Sequence, residues 1–135
     1  MLRQEMFLPF NPVAKGRPRF TRRGHAYTPA KTAEYERNIR DYYTTQEGKM
    51  FEGAIFVKII FAMPIPKSFS KKVQQQIALG EYKHIKKPDA DNMAKAVLDA
   101  LNGVAFTDDS LITHLTVAKH YSTNPGIWLT IKEDI

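Results

Sequence analysis

The rhythm of apolar and polar positions changes several times along the chain. Ala54–Ala62 (AIFVKIIFA) is apolar on both faces except at Lys58, and is rich in β-branched and aromatic residues. That is the pattern of a central strand. Met63-Pro64-Ile65-Pro66 ends it. Upstream, Glu5–Phe10 reads as a short first strand. Asn11–Tyr27 has no period and reads as a loop, with Pro12, Gly16, Pro18 and Gly24 set among arginines. Thr28-Pro29 predicts a helix start, with Thr28 as N-cap and Pro29 in the first helical position. That helix runs to about Gln46 and stops at Gly48. Ser68 or Ser70 caps a polar helix through about Leu79, stopped by Gly80. A basic loop ending in Lys86-Lys87-Pro88 leads to a helix from Asp91 to about Leu101, followed by Gly103. Leu111–Tyr121 and Ile127–Ile131 read as two strands joined by a Ser-Thr-Asn-Pro-Gly turn.

The order β-α-β-α-α-β-β predicts an α+β fold, with a small mixed β-sheet packed against helices. A length of 135 residues suits one domain spanning 1–135. Apolar residues at 43% and charged residues at 25% lie in the globular range. The chain has no cysteine, which excludes disulfides and thiolate zinc sites and fits a reducing, cytoplasmic setting. Met1–Pro12 lacks the apolar run of a signal peptide, and the apolar run near Ala54–Pro66 is too short to span a bilayer.

Charge sharpens the picture. The net charge is +6, and residues 1–40 carry all of it. Arg3, Lys15, Arg17, Arg19, Arg22, Arg23, Lys31, Arg37 and Arg40 stand there against Glu5, Glu34 and Glu36. A basic cluster of this kind suggests a polyanion partner, usually nucleic acid; a solvated basic loop is the plainer alternative.

The strongest chemical signal is KKPDADNMAKAVLDALNGVAFTDD, Lys86–Asp109. On a helix, Asp91, Asn92, Lys95 and Asp99 fall within an arc of roughly 100°, and apolar residues fill the rest. A helix apolar almost all round is deeply buried, so charge in its one polar stripe needs a partner or a cation. Lys87 precedes a proline and is pushed toward extended backbone. If that backbone continues, Asp89 and Asp91, two apart, aim together, and Asp91 can serve as N-cap with an oxygen to spare. Asp108-Asp109 lies in a turn that the sheet could return to the helix start. Carboxylates gathered this way form an oxygen-only site suited to Mg²⁺ or Mn²⁺, as phosphodiester hydrolysis requires. The structural alternatives are a plain Asp cap, an Asp91–Lys95–Asp99 ladder and an ordinary Asp-Asp turn. His25, His84, His114 and His120 show no ligand spacing, and no phosphate-binding glycine loop is present. Pro88-Asp89 supplies half of a Pro-Asp…acid-x-Lys nuclease pattern, but the second half is missing.

Three stretches together carry a resemblance: KKPDADNMAKAVLDALNGVAFTDDSLI; PVAKGRPRFTRRGHAYTP followed by Thr32 and Tyr35-Glu36; and MPIPKSFSKK. In this order they closely resemble the RusA-type Holliday-junction resolvases, common in phages and prophages. The resemblance implies metal-holding acids at Asp89, Asp91 and Asp109, with Asp108 a nearby acid of less certain role, and a lysine needed for cutting at Lys95. It also implies a homodimer that nicks opposite strands of a four-way DNA junction, with Mg²⁺ as cofactor, in recombination and repair.

In this reading Lys15, Arg17, Arg19, Arg22, Arg23, Lys86 and Lys87 hold phosphates. Phe20 and Tyr27 either stack on bases or pack on the core. Two rival readings stand: a non-catalytic DNA-binding module, which leaves the acids unexplained, and a protein-interaction domain whose acids only cap and pair. A closed two-fold interface would use either the last two strands (Ile127, Trp128, Leu129, Ile131) or the first helix (Tyr35, Ile39, Tyr42), unless these residues are core.

Overall fold

A computed structural model describes all residues, 1–135. Its architecture is the expected α+β: three α-helices, a mixed four-stranded sheet and a small two-stranded one. Strand β1 spans Arg3–Leu8, β2 Arg19–Phe20 and β3 Ala26–Tyr27. Helix α1 spans Ala30–Thr45 and strand β4 Ile55–Pro64. Helices α2 and α3 follow at Lys71–Ala78 and Ala90–Leu101. A one-turn 3-10 helix at Asp109–Leu111 leads into β5 at Ile112–Ser122, and β6 at Gly126–Glu133 closes the chain.

The main sheet runs β1-β6-β4-β5. As its apolar run predicts, β4 is internal, paired antiparallel to β6 and parallel to β5. A parallel pair needs a long crossover, and α2 and α3 supply it. The last two strands are consecutive but not neighbours, because β4 lies between them. Two inter-strand spacings are about 10 Å, and the link from Ser122 to Gly126 is long enough to cross them at about 3.3 Å per residue.

Ile55, Val57, Ile59 and Phe61 of β4, with Ile127, Leu129 and Ile131 of β6, are buried on one face of the sheet. Ile39 and Tyr43 of α1 and Met93, Val97 and Leu101 of α3 complete the same core. The first-helix and last-strand residues considered for an interface are therefore mostly core. Ile39, Ile127, Leu129 and Ile131 are buried, Tyr35 and Tyr42 pack against them, and Trp128 alone is exposed, tilted against Phe7 on the other face of the sheet.

Four local expectations are corrected. The first strand begins two residues earlier than Glu5 and ends at Leu8, because its register is set by β6, from Arg3↔Lys132 to Leu8↔Ile127. The Asn11–Tyr27 loop contains a small hairpin, pairing Arg19 with Tyr27 and Phe20 with Ala26. Pro29, not Thr28, occupies the N-cap of α1, and no side chain caps it. Asp89, not Asp91, occupies the N-cap of α3, in extended backbone with its carbonyl accepting from the Met93 amide at 3.0 Å. Asp91 is thus already helical, and the two acids do not share a strand face. Ser70 is the cap of α2, accepting from the Val73 amide at 3.2 Å.

Candidate active site and nucleic-acid interface

Helix α3 buries Met93, Ala94, Ala96, Val97, Ala100 and Leu101, which leaves its polar stripe at the rim of the domain. Asp91, Lys95 and Asp99 from that stripe line an open cavity of about 400 Å³. Ala90, Ala94 and Leu98 of the same helix line it too, with Leu115 and Val117 of β5. Asp109 enters from the 3-10 turn, so the turn does return an acid to the start of α3.

The structure also separates the two acids of that turn. The Asp108 carboxylate caps the turn, accepting from the Ser110 amide at 3.0 Å. Hydrogen bonding from Ser110, by its side chain foremost and by this amide next, holds the Asp108 carboxyl below its ordinary range. Asp109, its neighbour, faces the cavity.

Asp89 opens into an adjoining cavity of about 440 Å³, which it lines with Asn92, Lys15, Arg17, Lys87 and Pro88. The two cavities share the N-terminal turn of α3, one carrying Asp91 and the other Asn92. No three acidic or histidine side chains converge on one point closely enough to form a complete metal cage. The donors are nonetheless of the right kind. Mg²⁺ is usually held by one or two carboxylates with water and substrate phosphate completing its shell, and Asp91 and Asp109 supply two carboxylates to one cavity.

The Asp91–Lys95–Asp99 ladder, one of the structural alternatives, is absent. Lys95 is exposed and joins none of the ion pairs of the protein, so its ammonium is free in the cavity. Asp99 instead pairs with Lys15 at 3.1 Å, and Lys15 also bonds Glu36. Lys15 thus lines the Asp89 cavity with its ammonium already paired, unlike Arg17 and Lys87 beside it. Arg17 lines the Asp89 cavity, and Arg19, Arg22 and Arg23 lie exposed on the hairpin beyond it. Phe20 and Tyr27 are 68% and 48% exposed, so neither is core. Lys87 lines the Asp89 cavity, while the Lys86 ammonium lies 6.0 Å from the Phe69 ring centroid.

One contributor had no separate signal in the motifs. Lys119 on β5 sends its ammonium to the carbonyls of Lys86 at 2.6 Å and Pro88 at 3.0 Å, tying down the segment that delivers Asp89. Its registry with buried Phe61 places it on the inward face of the sheet. A lysine at an inward strand position is the only trace of this in the sequence.

The chain is 34% identical over 128 residues to "Uncharacterized protein YqaN" of Bacillus subtilis strain 168, covering 90% of each. Residues 9–132 match the family described as "Endodeoxyribonuclease RusA", a span that takes in the basic hairpin, α3 and the Asp108-Asp109 turn. The chain belongs to the RusA endodeoxyribonuclease family.

Proposed function

We propose that the protein is a Mg²⁺-dependent endonuclease that resolves four-way DNA junctions by paired nicks on opposing strands, in the recombination and repair of cytoplasmic DNA. The observation that carries this reading is the cavity in which Asp91 and Asp109 face an unpaired Lys95, beside a basic hairpin. Asp91 and Asp109, with Asp89 alongside, would hold divalent magnesium, or manganese in its place, which would supply Lewis acidity toward the attacking water and the scissile phosphate.

The remaining work falls to the chain's own groups. Lys95 lies one turn beyond Asp91, and its free ammonium stabilises the negative charge that builds on the phosphoryl oxygens. Arg17 and Lys87 contact the phosphates flanking the cleavage site, and Arg19, Arg22 and Arg23 reach further along the backbone, with Lys86 at the cavity edge. Exposed Phe20 and Tyr27 offer faces on which bases unstacked at a branch point can rest.

A four-way junction is approximately two-fold symmetric, and each chain contributes one such cavity. Coupled nicks therefore call for a homodimer with closed two-fold symmetry. The test is incubation of the protein with a synthetic mobile four-way junction and Mg²⁺, with the nicks mapped on each strand. Symmetric nicks on opposing strands are expected. Tight junction binding with no cleavage in Mg²⁺ or Mn²⁺ would instead identify a non-catalytic binding module.

A further inference from the structure

Lys15 opens the basic segment, yet its surroundings differ from those of the arginines that follow it. Its side chain is 16% exposed, and its ammonium lies between the carboxylates of Glu36 on α1 and Asp99 on α3, themselves 17% and 29% exposed. Burial pulls this ammonium toward the neutral form. The hydrogen bonds and charges of the two acids outweigh that, and its pKa lies above the ordinary lysine value. A half-buried cation with two anionic partners has little left to offer a phosphate.

The backbone around Lys15 is held as well. Its amide reaches the Asn92 carbonyl on α3 at 3.3 Å, and the Gly16 amide donates to the hydroxyl of buried Thr32 on α1 at 3.1 Å. Gly16 is required there, because a Cβ would come within 2.2 Å of that hydroxyl. Tyr35 of α1 places its buried hydroxyl beside the Val13 backbone, and burial pushes its pKa up to about 12. Thr32, Tyr35 and Glu36 occupy positions i, i+3 and i+4 of α1, one face of the helix. That face receives residues 13–16 as a strap, and α3 holds the strap from the other side. Arg17 and the hairpin begin where the strap ends.

We infer that Lys15 is a positioning residue, not a phosphate contact: with Glu36 and Asp99 it clamps the Val13–Gly16 strap between α1 and α3 and so aims the basic hairpin at the carboxylate cavity. This rests on the junction-nuclease reading for its consequence, but the clamp itself is tested separately. Breaking it frees the hairpin to sample many directions, so binding loses affinity through lost preorganisation without losing a phosphate contact.

The experiment compares wild type, Lys15→Met and Arg17→Ala in two measurements: affinity for a labelled four-way junction across a salt series without divalent ions, and hydrogen exchange of the Lys15 and Gly16 amides by NMR. For folded Lys15→Met the clamp predicts severalfold weaker binding, a log–log salt slope equal to that of wild type, and amide exchange at least about tenfold faster. Arg17→Ala is expected to lower the slope by about one, as the loss of a phosphate contact does. Loss of fold stability alone would not weaken binding by the folded protein at constant slope. If Lys15→Met fails to fold because Glu36 and Asp99 are left uncompensated, the neutral triple variant Lys15→Met/Glu36→Gln/Asp99→Asn carries the same readouts. A slope reduced by about one in the Lys15 variant overturns the inference, as does unchanged affinity or unchanged exchange. Failure of wild type to bind junctions refutes the nuclease reading instead, and exchange alone then decides the clamp.

Discussion

Replacing Arg17 and Arg19 together by alanine tests whether the hairpin binds the DNA backbone, and the structure sets the size of the effect. Both side chains are exposed, and neither guanidinium joins an ion pair within the protein. Their removal therefore leaves no buried partner uncompensated, and the folded state should be nearly unaffected. Each phosphate contact on duplex DNA contributes about 0.9 to the slope of log K against log salt, so two contacts contribute about 1.8. Over a fourfold rise in salt, from about 50 to 200 mM, that difference amounts to about twelvefold in affinity. Wild type should lose about twelve times more affinity across that range than the double variant. Fluorescence anisotropy with a labelled junction in metal-free buffer measures both slopes directly, and circular dichroism confirms that the variant is folded. The loss should be the same for junctions of unrelated sequence, because phosphates carry no base identity. An unchanged slope would mean that the two arginines meet something other than phosphate, and the hairpin would lose its place in the DNA-binding surface.

Other outcomes follow from the same geometry. Asp91→Asn should reduce cutting to under about a tenth of wild type in Mg²⁺ while leaving junction binding near normal or slightly tighter, since the amide keeps the shape but not the charge; single-turnover nicking and anisotropy separate the two. Asp109→Asn should behave likewise, whereas Asp108→Asn should retain cutting, because Asp108 caps the turn and Asp109 faces the cavity. Gly126→Ala would bring a Cβ within 2.2 Å of the Phe7 ring and 3.0 Å of the Leu8 carbonyl oxygen, so it should destabilise the fold by about 1–3 kcal/mol in urea titration. Sedimentation at micromolar concentration should report about twice the chain mass of 15.4 kDa.

The apolar run of β4 was legible as an internal strand because both its faces are apolar: Ile55, Val57, Ile59 and Phe61 are buried on one, Phe56 and Ile60 are partly buried on the other, and only Lys58 between them is exposed. The α3 stripe was legible because the rest of that helix is apolar, so few orientations bury it. Residue chemistry, chain spacing and family resemblance single out Asp89, Asp91, Lys95 and Asp109, and the fold brings the last three to one cavity. What spacing could not decide was partnership across elements. Asp99 and Lys95 are four apart on one helix, yet Asp99 pairs with Lys15, eighty-four positions away, because α1 and α3 pack side by side and trap the strap between them. Asp89 and Asp91 are two apart, yet they open into different cavities, because α3 begins at Ala90 and rotates the second acid away from the first. Likewise β5 and β6 adjoin in sequence but not in the sheet, since the turn between them is long enough to step over β4. Local propensity depends on neighbours within about a helical turn and can be read from the chain. Ion pairs and cavity walls depend on which surfaces meet once the core closes, and only the tertiary structure decides that.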